Sequence, residues 1–173
     1  LMFGISPLIL LLLLFIVSLS YKAFNDTVLF NRFKFNIRAV QNGEYYRILT
    51  AGFIHVDQHH LLFNGLTLYF FGDNALLGLG TINFIMLYVV SLLMGNLFAL
   101  FYHRNNPYYS AVGASGAIMG VVYSSILMFP EMKLAFIFFP VPLPAYIFGI
   151  GYLVYTLFGM KSQNDRIGHT AHF

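Results

Sequence analysis

Ser115 is the residue in this sequence best placed to act as a nucleophile. It stands in Gly113-Ala114-Ser115-Gly116, at the start of an apolar run. Glycine neighbours leave the backbone uncrowded, and the N–H groups of a helix start have no intrahelical partner. Such donors, with the positive end of the helix dipole, suit a developing oxyanion. Serine needs a base to become nucleophilic. His172 is the candidate, because imidazole exchanges a proton near neutral pH. His169, three residues earlier, would share its helix face. His60 and Asn64 are four apart and also share a face. Their N–H and NH₂ groups are both donors that an oxyanion could use.

Each of these residues also has a plainer reading. Gly116 and Gly120 form a small-xxx-small pair of the kind that brings membrane helices together. An interfacial histidine can simply end in water, and His60 with Asn64 can be a polar contact between helices. Arg47, following Glu44-Tyr45-Tyr46, reads as an ion-paired clamp or an interfacial anchor, structural in either case. A His-Glu-x-x-His zinc motif is absent. His55, Asp57, His59 and His60 lack a recognised metal-ligand spacing. A haem held by His60 and His172 is a remote alternative.

The elements that must position these groups are apolar. Of 173 residues, 59% are hydrophobic and 9% charged, with a mean hydropathy of +0.76. Soluble domains carry about 25% charged residues, so the expected solvent is lipid. The absence of cysteine excludes disulfides, iron–sulfur clusters and a thiol nucleophile. A net charge of +3 is too small for a nucleic-acid footprint. Apolar runs predict spans at about 5–24, 59–78, 81–102, 112–129 and 144–160, with a sixth beginning at 168–173. The first run could pass for a signal-peptide core, but it lacks a basic flank and reads as a retained helix. The loop 25–58 should lie on the membrane. Its alternation from Asn31 to Arg38 predicts an extended segment with one apolar face.

If every run spans, three polar clusters meet on one side of the bilayer. They are His55, His59, His60 and Asn64, then Ser110 and Ser115, then His169 and His172. Intramembrane polar groups are functional by default. Lys and Arg are concentrated on this side; only Lys133 lies on the other. That bias would by itself put the first loop in the cytoplasm.

The set of motifs resembles the rhomboid intramembrane serine proteases, particularly bacterial ones. Glu44-Tyr45-Tyr46-Arg47 resembles the family's first-loop motif, with Tyr46 where tryptophan is common. Phe53-Ile54-His55, His60-Leu61-Leu62-Phe63-Asn64 and Gly72 resemble its second helix. Gly113-Ala114-Ser115-Gly116 resembles its nucleophile motif, and Ala171-His172 its catalytic histidine. The resemblance implies an all-α, polytopic, six-helix bundle and a Ser115–His172 dyad without aspartate. It implies an oxyanion hole from His60, Asn64 and the Ser115 N–H, and needs neither metal nor cofactor. It implies transmembrane proteins as substrates, the lipid bilayer as surroundings, and a bacterial inner membrane as location. That family's usual orientation conflicts with the Lys/Arg bias. Two departures stand out. Met119 replaces an aromatic that often packs on the catalytic histidine, and the sixth helix is cut to its first residues, ending at Phe173. The alternative is a catalytically inactive relative that binds transmembrane segments.

Overall fold

The computed structural model describes residues 4–136 and 139–160. Five long helices dominate it: α1 (Pro7–Asn25), α5 (Gln58–Leu79), α6 (Thr81–Tyr102), α7 (Ser115–Met128) and α8 (Ala145–Met160). Apolar runs become helices in lipid because each backbone N–H and C=O must be satisfied within its own segment. By length and composition, α1 and α6 can cross a bilayer. Residues 161–173, with His169 and His172, lie outside the described part.

The bundle core is one apolar cluster around α7. Ala117, Ile118, Val121, Val122 and Ile126 of α7 pack with Leu61, Leu68, Phe71 and Ala75 of α5. Ile9 and Ile16 of α1 and Phe84, Tyr88 and Leu92 of α6 complete it. Glycines set the closest approaches. A Cβ at Gly72 would lie 2.9 Å from Ile9, and one at Gly120 would collide with the Ser91 hydroxyl. Ser125 of α7 donates to the Phe71 carbonyl of α5 at 2.9 Å, a polar tie inside the core. Outward faces carry Leu11, Phe63, Ile82 and Leu127, as lipid contact requires.

The long first loop folds into short helices instead of the expected extended segment. Asp26 accepts from Leu29 N–H at the head of α2 (Thr27–Phe33), and Asn36 from Ala39 N–H at the head of α3 (Ile37–Gln41). These caps nucleate helix on either side of the alternation. Phe35–Asn36 forms the short strand β1, pairing antiparallel with β2 (Ser110–Ala111). The alternation survives as burial, since Phe35 and Ile37 are both fully buried. They form a second core with Val40, Ala51 and Ala99 beneath the loop. α4 (Arg47–Thr50) and a 3₁₀ turn, Ala51–Phe53, lead on to α5. On the far side, β3 (Lys133–Phe136) and β4 (Phe139–Pro144) form a hairpin before α8.

Candidate active site

The depth of Ser115 follows from helix lengths. Helices α5 and α7 pack together and share their far end, where Gly78 sits directly on the Met128 thioether. α5 has 22 residues and α7 has 14. At ~1.5 Å per residue, α7 stops roughly 12 Å short of the start of α5. Ser115 therefore begins its helix below the level of the first loop, near the height of Asn64. Asn64 and Ala114 line one narrow apolar cleft with Leu61, Gly65, Leu68 and Ile118. Ser115 itself is half-buried.

The turn before Ser115 is pinned at two successive amides. Gly113 N–H donates to the Ala51 carbonyl at 2.9 Å, and Ala114 N–H to His55 Nε2 at 3.4 Å. Gly113 has φ +127°, and a Cβ there would lie 2.6 Å from His60 Cε1. Only glycine tolerates both conditions. Ala114, the N-cap, brings no capping side chain to the first turn of α7.

The His60 ring packs against Gly113 of this turn, and Asp57 caps the helix that carries it. The Asp57 carboxylate caps α5 by accepting from His60 N–H at 2.8 Å. Asn64 is buried, and its amide donates to the His60 carbonyl at 2.9 Å. Its side chain thus turns back along its own helix in this state. His59 is exposed and stands apart. Ser110 belongs to the strand pair, where Asn36 donates to its hydroxyl at 3.0 Å.

His55 is fully buried in the connector before α5. Its ring makes an edge contact with His60, with centroids 5.0 Å apart. Its Nδ1 lies 2.9 Å from Ser20 Oγ of α1, and that hydroxyl also lies 3.3 Å from the Phe53 carbonyl. An amide N–H can only donate, so Nε2 accepts from Ala114 and Nδ1 carries the ring hydrogen. Burial, and then the neighbouring His60, hold its pKa down to about 3. Ser20 is a residue that sequence reading missed. One small hydroxyl in an apolar run leaves no signal beyond its polarity.

Arg47 is buried at the centre of the first loop. It ion-pairs with Glu44 at 2.7 Å and donates to the carbonyls of Asn31 and Lys34 at 2.6 and 2.9 Å. The Tyr46 hydroxyl, and next Arg47, hold the Glu44 carboxyl below its ordinary pKa. Asn96 of α6 donates to the Ile48 carbonyl at 2.7 Å and fastens α4 to the bundle. Met119 is half-buried against the main core.

The described part of the site thus joins Ser115, Gly113, His60, His55 and Asn64 at the loop side of the bundle. Gly116 follows within the same helix start, and Gly120 seats α7 on α6. His172, the expected base, falls outside the described residues.

Comparison with known proteins supplies the family. The Rhomboid domain model matches residues 42–173. RHOMBOID-like protein 12, mitochondrial, of Arabidopsis thaliana is 26% identical over 90% of this chain and 51% of its own length. Rhomboid protein 1, mitochondrial, of Saccharomyces cerevisiae is 32% identical over 72% of this chain and 37% of its own. Inactive RHOMBOID-like protein 8 of Arabidopsis thaliana is 33% identical over 50% of this chain and 24% of its own. The chain spans about half or less of the length of these relatives. Two of them are mitochondrial, so the expected bacterial inner membrane finds no support here. With its model match covering most of the sequence, the chain belongs to the rhomboid family of integral membrane proteins.

Proposed function

We infer that this chain is the catalytic core of an intramembrane serine endopeptidase. The observation that supports the reading is the recessed start of α7, where Gly113 meets the His60 ring and Ala114 shares a cleft with Asn64 just before Ser115. A hydroxyl there meets a peptide bond inside or next to a membrane span, where unwound substrate backbone is short of water. In the proposed reaction Ser115 Oγ attacks the scissile carbonyl and His172 takes its proton. His172 then gives that proton to the leaving amine. Water releases the acyl-enzyme, with His172 as base again. The Ser115 N–H, His60 and the Asn64 amide would hold the oxyanion. For that, the Asn64 amide must present its second hydrogen toward the cleft, or leave the His60 carbonyl. Transmembrane proteins are the substrates, the bilayer is the surroundings, and no cofactor enters the scheme.

The test is cleavage of a model transmembrane substrate in liposomes. Ser115→Ala and His172→Ala should each abolish it, and a fluorophosphonate should label Ser115 in the unmodified chain. Cleavage persisting in Ser115→Ala refutes the mechanism. Asn64→Ala should lower kcat more than it raises KM, because oxyanion donors act mainly in the transition state.

The second reading is an inactive relative that binds transmembrane segments. It is favoured by the relative named inactive and by Met119 in place of an aromatic. Failure of Ser115 to label, with retained capture of a transmembrane peptide, would support it.

A further inference from the structure

We propose that His55 is a positioning residue, tying Ser20 of α1 to the Ala114 amide and so holding the turn that aims Ser115. The observations are independent of His172. His55 is fully buried, and both ring nitrogens have partners on different elements. Nδ1–H donates to Ser20 Oγ, Ser20 passes its hydrogen to the Phe53 carbonyl, and Nε2 accepts from Ala114 N–H. Three segments far apart in sequence, at residues 20, 53–55 and 114, are locked by one neutral ring. The other amide of the turn, Gly113 N–H, is held by the Ala51 carbonyl. Two anchors fix the two peptide planes leading into Ser115. One anchor alone would leave the Gly113–Ala114 plane free to rotate, because Gly113 lacks the Cβ that restricts its neighbours. His60 would not replace the lost anchor, since it meets Gly113 through ring packing. The catalytic consequence rests on the protease reading above, whereas the tether itself does not.

Substitutions can split the two contacts of the ring. His55→Gln places an amide oxygen near the position of Nε2 and can still accept from Ala114. His55→Asn places an amide nitrogen near Nδ1 and keeps only the Ser20 side. The full chain is prepared in detergent micelles with each change, and Ala114 amide hydrogen exchange is measured in the Ser115→Ala background. Exchange should rise roughly tenfold in His55→Asn and little in His55→Gln, as expected for one lost hydrogen bond. With Ser115 restored, kcat on the model substrate should fall roughly tenfold in His55→Asn, with KM within about twofold and rescue by Gln. Equal exchange and equal kcat in the Asn and Gln variants would overturn the proposal. If neither variant folds, Ser20→Ala decides: faster Ala114 exchange supports the tether, and unchanged exchange overturns it. An inactive unmodified chain that still shows the exchange split would refute the protease reading and leave the tether standing. An active chain without the split would do the reverse.

Discussion

Replacing Arg47 by alanine should unfasten the first loop, and the cost can be worked from its contacts. The guanidinium is buried and serves three partners: the Glu44 carboxylate and the carbonyls of Asn31 and Lys34. Hydrogen bonds to a charged group contribute ~1.5–3 kcal/mol each. The two carbonyls therefore account for roughly 3–6 kcal/mol before water refills the site, near the ~3–5 kcal/mol typical of breaking a buried charged contact. Glu44 is the lesser partner because its side chain is 43% exposed and solvent can replace the pair. Three variants separate the contributions: Arg47→Ala, Arg47→Lys and Glu44→Gln. Lysine keeps the charge but not the planar fork, so it cannot span both carbonyls and the carboxylate. Equilibrium unfolding by increasing SDS fraction, followed by tyrosine near-ultraviolet circular dichroism, gives the stability. Arg47→Ala should lose about 3–5 kcal/mol, Arg47→Lys should regain less than half of that, and Glu44→Gln should be the mildest. Arg47→Lys as stable as the unmodified chain would refute the fork reasoning. Glu44→Gln as damaging as Arg47→Ala would show that the ion pair, and not the carbonyls, holds the loop.

Other outcomes follow from the same geometry. His55 has a pKa of about 3 folded against 6.5 unfolded, so the unfolded chain binds the extra proton between those values. Its contribution is complete above pH 6.5 and is lost at about 1.4 kcal/mol per pH unit as acid is added. The stability-against-pH slope between pH 6 and 4 should therefore be shallower by about one proton in His55→Gln than in the unmodified chain; identical slopes would exclude a neutral buried ring. Gly120→Ala should push α7 from α6 by collision with Ser91, costing about 1–3 kcal/mol in unfolding assays. Adding Ser91→Gly should recover most of that loss, and a purely additive double variant would rule out the contact as its cause.

Several features were legible in the residues alone. Each of the five long helices lies on one of the five apolar runs, because lipid offers no partner for an unpaired backbone group. The loop before α5 was harder. Its alternation from Asn31 to Arg38 predicted an extended segment with one apolar face; Phe35 and Ile37 are indeed apolar and buried, yet the backbone there is mostly helical. The Asp26 and Asn36 caps outweighed the period-two pattern, since each satisfies an orphan donor at a helix start. The hairpin of β3 and β4 was missed for a related reason. Pro140, Pro142 and Pro144 lead into the fifth apolar run, and alternate prolines there suit an edge strand that need not donate along one side.

Residue type and spacing by themselves determined the chemistry on offer: a glycine-flanked serine at a helix start, a histidine and an asparagine one turn apart, and an arginine beside a glutamate. Those are local facts, carried by neighbours three or four positions away. Tertiary structure alone decided how deep the serine lies, because depth is the difference in length between two helices sharing a far end. It also decided that Ser20, His55 and Ala114 meet. Nothing in the sequence links positions 20, 55 and 114 until α1, the loop and α7 pack, and burial then forces each polar group to find its partner.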